Sequence, residues 1–350
     1  MDAAKKIAEA VLYEGYILWP YRKSARKNQQ RWTFGGVYPR AYSEARGGDD
    51  PWLMQTQCLV SGDGDSAIEV KARFLHVTER KVAALPEEWR SGGVGESGVG
   101  DSGDREFVEE LRVGGELYLP WDEAAEREMA VGRFELSELE TPMRVGIDIP
   151  GGSSEEPLAD STGEVVGVLV RGWRALRGTV EVEAERLREE LFKVTVRISN
   201  TTPWEGEDRE STLRRTFVST HTALEVEGGE FVSMTDPPEE FREAAEGCEN
   251  LKTWPVLVGE EGERSLMLSS PIILADYPQI APESPGDLFD GGEIDQLLIL
   301  NILTLTDEEK EEMRASDPKA REILERCESL SPEELMNLHG AIREFKMVRE

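Results

Sequence analysis

The chain has 350 residues, with 40 basic side chains against 71 acidic ones and a formal net charge of −31. With 39% apolar residues it can bury a core, which excludes a disulfide-stapled mini-protein and a disordered polyanion. Such an acidic field repels phosphate, so neither nucleic acid nor an anionic membrane surface is expected as a partner. Glu dominates the acidic excess and Arg outnumbers Lys. That composition suits solvation in salty or warm surroundings as well as it suits a partner surface.

At the N-terminus, MDAAKKIAEAVLYEGYILWP carries Lys5 and Lys6, but Glu9 and Glu14 interrupt the apolar run that a signal peptide needs. No run approaches the length of a spanning helix; the longest apolar stretches, VVGVLV and PIILA, are strand-sized. A cytoplasmic protein without membrane insertion is the expectation. Cys58, Cys248 and Cys327 are odd in number and far apart, so neither a disulfide framework nor a zinc knuckle is indicated.

Residues 1–46 hold nine basic residues against four acidic ones, a local charge of +5 that leaves −36 for the remainder. Such a reversal marks a contact surface, within the molecule or between molecules. At its centre, YILWPYRKSARKNQQRWTFGGVYP interleaves Trp19, Tyr21, Trp32, Phe34 and Tyr38 with Arg22, Lys23, Arg26, Lys27 and Arg31. In isolation this is the pattern of a nucleic-acid stacking groove. The global field favours instead a segment whose aromatics anchor in the core while its cations pair with the chain's own carboxylates, or one that meets a protein partner.

From Pro51 the pattern turns to strands. WLMQTQCLV, the turn-rich SGDGDS and AIEVKARFLHV predict a β-hairpin, with Ile68, Val70, Ala72, Phe74 and His76 on one face. His76 is thus a strand residue rather than a ligand. RSGGVGESGVGDSGD is aperiodic and rich in Gly, Ser and Asp, the composition of a loop. AVGRFELSEL, MRVGIDI, EVVGVLVRGWRAL, GTVEVEAERL, LFKVTVRISN, TFVSTHTALEVE and SLMLSSPIIL then predict short strands of an antiparallel sandwich. In LFKVTVRISN, Phe192, Val194, Val196 and Ile198 face one way, and Lys193, Thr195 and Arg197 the other.

The last 45 residues read as helical, with capping boxes at Thr306–Glu309 and Ser331–Glu334. Leu335, Leu338, Ile342 and Phe345 recur at helical spacing and make an apolar face that must pack on the body or on a partner. The expected fold class is α+β: a mainly antiparallel β-sandwich-like body with a C-terminal helical segment. Its expected parts are a basic aromatic segment (1–50), a hairpin region with a Gly-rich loop (51–128), a sandwich-like domain (129–305) and a helical tail (306–350).

Signatures of common enzyme classes are missing: there is no nucleophile elbow, no Walker loop, no dinucleotide fingerprint and no H-E-x-x-H. His221 lies among Ser219, Thr220 and Thr222, but neighbours on a strand face opposite sides, so a structural histidine is expected. ADYPQIAPESPGDLFDGGEIDQLL gathers Asp276, Glu283, Asp287, Asp290, Glu293 and Asp295. Its spacing departs from a calcium loop, and Asp287 or Asp290 suits a helix cap; Asp287, Asp290, Glu293 and Asp295 remain weak metal candidates. No catalytic residue and no cofactor are expected.

Longer phrases carry a resemblance. YILWPYRKSARKNQQRWTFG, WLMQTQCLV, LRRTFVSTHTALEVEGGEFVSMTDPPE, CENLKTWPVLVG, LSSPIILADYPQIAPESPGDLFDGGEIDQLLILNILTLTDEEK and ASDPKAREIL resemble a bacterial family of hydrogenase-associated accessory proteins. Its genes accompany actinobacterial-type, oxygen-tolerant nickel–iron (NiFe) hydrogenases and their maturation proteins. The resemblance covers both ends and most of the middle. It implies an accessory or assembly protein whose partners are hydrogenase subunits or maturation factors. Where relatives carry a Tyr-Asp-His-Pro phrase, this chain has Ala275-Asp276-Tyr277-Pro278, which puts a metal-ligand histidine there in doubt. Three Cys also fall short of the four thiolates of an iron–sulfur cluster.

The function expected is therefore non-catalytic. Trp19, Tyr21, Arg22, Lys23, Arg26, Lys27, Arg31, Trp32 and Phe34 are the expected partner contacts, and Pro278, Pro282, Glu283, Pro285 and Asp287 form a proline-stiffened contact loop that orders cheaply. The alternatives are a metal-dependent hydrolase and a calcium-binding β-sandwich module, both built on the carboxylates of 276–295.

Overall fold

The computed structural model describes residues 2–18, 20–25, 28, 34–86, 105–279, 288, 295–331 and 334. In chain order its elements are α1 (Asp2–Leu12), α2 (Arg40–Arg46), β1 (Leu53–Ala84), β2 (Glu106–Val108), β3 (Leu111–Val113), β4 (Glu116–Tyr118), β5 (Trp121–Glu135) and β6 (Met143–Ile149). Next come β7 (Gly152–Ala159), β8 (Val165–Trp173), β9 (Leu176–Arg188), β10 (Leu191–Asn200), α3 (Arg209–Thr212), β11 (Val218–Phe231) and α4 (Arg242–Glu246). β12 (Trp254–Leu257), β13 (Leu266–Ser270), α5 (Asp295–Leu303), α6 (Asp307–Ser316) and α7 (Pro318–Ser329) complete the described elements. The body is mainly antiparallel β-sheet and the C-terminal part is helical, as expected.

The expected hairpin is absent. Residues 53–84 form one 32-residue strand instead, which pairs directly with five other strands of the sheet, β2, β5, β8, β10 and β11. Leu53–Ser61 pairs with β10, Ala67–Leu75 with β11, Ala67–Arg80 with β5 and Thr78–Ala84 with β8. The turn-rich SGDGDS is a bend within this strand: between Gly62 and Ala67 the register against β11 slips by several residues. Asp63 Oδ1 accepts from the N–H groups of Asp65 and Ser66, and Ser66 Oγ donates to the Gly228 carbonyl at 2.8 Å. Asp and Gly chemistry thus makes a bulge rather than a reversal, because the two flanks pair with other strands and not with each other.

The bend folds one sheet into two leaves. The first half of β1 continues through β10 and β9 to β6, and the second half through β11 and β13 to β12. Even-numbered β1 residues Met54, Cys58, Val60, Ile68, Val70, Ala72 and Phe74 point into a shared core with Val180, Val182, Phe192, Val194, Leu224 and Phe231. Hydroxyls cross it too: Thr56 Oγ1 on the first leaf donates to Ser269 Oγ on the second at 2.8 Å. The strands on either side of residue 128 belong to this one sheet, with β5 running across the expected boundary.

The outer face of the second leaf carries the helices. Leu75 and Val77 pack against Leu12, Tyr13, Tyr16 and Tyr21 of the N-terminal segment, and against Leu298, Ile302, Met313, Ile323 and Leu324 of α5–α7. The two ends of the chain therefore share one apolar cluster. Both expected capping boxes form: Thr306 with Glu309, and Ser331 with Glu334. No helix among the described residues is long and apolar enough to cross a membrane.

Candidate functional site

The basic aromatic segment is where the sequence places its strongest contact signal. Tyr21, at 1% exposure, donates its hydroxyl hydrogen to the Leu288 carbonyl, and Tyr16 is hydrogen-bonded to the Asp122 and Glu123 carbonyls at 3.1 and 3.0 Å. Arg22 pairs with Glu309 at 2.7 Å. Lys23 accepts support from both sides, its amide donating to Ser316 Oγ at 3.1 Å and its ammonium lying 3.5 Å from Glu109. The described part of the segment thus ties the helical layer together, so Tyr21 is an internal anchor rather than a partner contact. Phe34 is the described aromatic of the segment that reaches the surface, at 49% exposure. Trp19, Arg26, Lys27, Arg31 and Trp32 lie outside the described residues.

Beneath this segment runs a buried layer of charge. Arg80, on β1, pairs with Glu123 of β5 at 2.8 Å. Its remaining N–H groups donate to the carbonyls of Leu119, Ala315 and Ser316. Glu123 is shared with Arg171 at 2.7 Å, and the Trp121 indole donates to Asp317 at 2.9 Å. Burial lowers the Arg80 pKa, while Glu123 and Asp317 oppose that shift. Arginine is suited to this position because its planar fork serves one carboxylate and several carbonyls at once. A cleft of about 510 Å³ lies beside the layer, lined by Lys23, Lys81, Phe107, Glu109, Asp122 and Arg214 among others. Its charges are mutually engaged, Arg214 bridging Glu79 at 3.0 Å and Asp122 at 3.1 Å.

The two described histidines, His76 and His221, are held by hydrogen bonds in the sheet. His221 is 1% exposed, with Nδ1 at 2.8 Å from the Ser219 carbonyl and Nε2 at 3.3 Å from Ser270 Oγ. Ser219 adopts the left-handed conformation, φ 51°, at a bulge where β11 slips against Arg73–Leu75. Ser and His are therefore in contact, but both are sealed from solvent. Burial pushes the His221 pKa down to about 4, so the ring is neutral at pH 7. His76 is likewise buried, with Nε2 3.0 Å from the Arg174 carbonyl and its pKa pushed down to about 4, first by burial and then by Arg127.

In the acidic segment, Asp276 serves the loop. Its Oδ2 accepts from the Ser233 and Thr235 hydroxyls at 2.5 and 2.6 Å, and its Oδ1 from the Leu257 amide at 2.8 Å. Tyr277 follows at φ 56° and donates its hydroxyl to the Glu263 carbonyl at 3.0 Å. Pro278 is half-buried. Pro282, Glu283, Pro285, Asp287, Asp290 and Glu293 lie outside the described residues, as does the side chain of Asp295, whose backbone opens α5. Among the described residues no group of three or more His, Cys, Asp or Glu side chains is placed to hold a metal ion.

A surface feature emerges that composition and spacing do not reveal. Trp254 on the edge strand β12 pairs through its backbone with Ser270, the last residue of β13, and Ile273 follows three residues on. Gly35 sits against the Pro271 side chain and its carbonyl accepts from the Thr220 amide at 3.0 Å, which brings Phe34 to the same end of the sheet. The exposed apolar side chains of Phe34, Trp254 and Ile273, the last at 72% exposure, are thus carried by backbone that meets at one corner of the sheet. The signal was present as short apolar runs in CENLKTWPVLVG and SSPIIL. What conceals it is that alternation does not say which strand lacks an outer neighbour. Comparison with known proteins finds no match: no family model, no curated protein and no solved structure corresponds to this chain.

Proposed function

We propose that this chain is a non-catalytic accessory protein that assists the assembly or stability of a nickel–iron hydrogenase through protein–protein contacts. The observation that carries the contact role is the apolar corner of Phe34, Trp254 and Ile273, whose side chains stay in solvent although the backbone around them is hydrogen-bonded. Large apolar side chains grouped on a surface cost hydration free energy that a partner removes, and an ordered platform loses little entropy when bound. Aromatic anchors of this kind dominate binding energy at interfaces. The partner class, hydrogenase subunits or maturation factors, rests on the resemblance of the long sequence phrases.

The test is capture of the partner by the full chain from cells expressing the hydrogenase, with gentle cross-linking. The expected result is co-purification of a hydrogenase subunit or maturation factor with the wild type, and its loss with Trp254→Glu plus Ile273→Glu. Failure of the wild type to capture any such protein overturns the reading. Equal capture by the double variant overturns the assignment of the corner.

A further inference from the structure

At the far end of the first leaf, β6 pairs with β9 over all seven of its residues, and no described strand pairs with its other side. Its sequence, Met-Arg-Val-Gly-Ile-Asp-Ile, is complementary to itself when reversed. In an antiparallel pairing of two copies about Gly146, Arg144 faces Asp148 of the other copy, Val145 faces Ile147, and Met143 faces Ile149. Each opposition matches like with like in polarity and opposite in charge. We propose that β6 is a self-association edge, through which a second copy of this chain adds its own β6 to form a two-fold symmetric dimer.

The neighbouring strands extend the complementarity. Across the outer face, Arg197 on β10 pairs with Glu181 on β9 at 2.9 Å, and Glu181 in turn pairs with Arg144 on β6. In the same way Arg177 on β9 stands beside Asp148 at 3.7 Å. Joining two edges about Gly146 therefore gives a row running Arg197, Glu181, Arg144, then Asp148 and Arg177 of the second copy. The sign alternates at every step, which is the favourable arrangement for cross-strand neighbours. The Arg144 and Asp148 side chains, each already paired to β9, are 72% and 80% exposed, so a second copy can reach them. At the two-fold axis a side chain built on Gly146 would meet nothing within 4 Å, so the central pair presents no obstruction.

Register is set by the same residues. Pro142 and Pro150 bracket the strand, and proline cannot donate to a ladder, so the pairing that uses all seven residues is the one centred on Gly146. Centres on Arg144 or Asp148 set like charges against each other, which repel, and centres on Val145 or Ile147 lose the Arg144–Asp148 opposition and bring Pro142 or Pro150 into the ladder. Charges of one sign on an edge strand prevent pairing, whereas this arrangement of both signs selects a single pairing. Strand addition of this kind forms an isologous contact. Its small area, and the −31 carried by each copy, make a weak, concentration-dependent dimer the expected form.

The test is sedimentation of the full chain over a concentration series at physiological ionic strength. The wild type should show a reversible monomer–dimer equilibrium. Arg144→Asp and Asp148→Arg each replace two attractive oppositions with two repulsive ones, so each variant alone should dimerise at least about tenfold more weakly. Mixing the two variants restores both oppositions, since Asp at 144 then faces Arg at 148 and Asp148 faces Arg144. A mixed dimer of near wild-type affinity is therefore expected, and its recovery shows that both variants are folded. A wild type that stays monomeric throughout, single variants that dimerise like the wild type, or a mixture no tighter than its components would each overturn the proposal.

Discussion

Arg80 and Glu123 form an ion pair 2.8 Å long that is nearly closed to solvent, and the same guanidinium reaches the carbonyls of Ala315 and Ser316 at the end of α6. One side chain thus joins the second leaf of the sheet to the helical layer. Removing it leaves buried Glu123 with Arg171 alone and orphans the carbonyls of Leu119, Ala315 and Ser316. Arg80→Met should lower unfolding free energy by roughly 3–5 kcal/mol. Arg80→Lys should recover only part of it, because a point charge cannot serve a carboxylate and several carbonyls together. Urea unfolding of the three proteins measures this. Arg80→Met within 1 kcal/mol of wild type, taken as roughly the value of a surface ion pair, would contradict the role given to the clasp.

The N-terminal aromatics should separate by role. Tyr21→Phe removes one buried hydrogen bond, to the Leu288 carbonyl, and should cost about 1–2 kcal/mol. Tyr21→Ala also opens a cavity and should cost about 3–5 kcal/mol. Phe34→Ser, at an exposed position, should stay within about 0.5 kcal/mol of wild type. Thermal and chemical melts of these variants distinguish an internal anchor from a surface residue; equal effects at Tyr21 and Phe34 would refute the distinction.

Stability should fall as pH is lowered from near neutrality. His76 and His221 each have an ordinary pKa of 6.5 that burial pushes down to about 4 in the folded protein. Between these values the unfolded chain binds protons that the folded chain does not, so stability is complete above pH 6.5 and declines toward pH 4. Each histidine contributes on the order of a few kcal/mol to the decline. Urea midpoints should be lower at about pH 5 than at about pH 7.5, and His76→Gln with His221→Gln should flatten that slope. An unchanged slope in the double variant would assign the acid sensitivity to carboxylates instead.

The bend in β1 depends on a few polar contacts. Asp63→Ala removes the acceptor for the amides of Asp65 and Ser66 and should cost about 1–2 kcal/mol. Because the bend positions both leaves, hydrogen exchange should accelerate in β10 and in β11 together. Acceleration confined to residues 61–67 would show that the leaves are held without it.

Much of the strand content was legible from alternation. MRVGIDI and LFKVTVRISN coincide with β6 and β10 residue for residue, and the alternation of Phe192, Val194, Val196 and Ile198 correctly gives the core face. Capping boxes were legible for the same reason: each joins residues three apart in sequence. SGDGDS misled because turn chemistry is local while the choice between reversing and continuing is made by partners elsewhere in the chain. Chain order likewise does not reveal that, among the described strands, β6 and β12 end the path of the sheet.

The charge reversal near residue 46 marks the limit between the two kinds of information. Composition alone determined that this is an acidic chain with a basic aromatic start, and that the start must meet carboxylates somewhere. Tertiary structure decided which ones. Arg22 meets Glu309 and Tyr21 meets the Leu288 carbonyl, across 287 and 267 positions of chain. Periodicity reports only the face a residue shows to its near neighbours, whereas contacts at such separations form only once the bent sheet has brought both ends of the chain onto one surface.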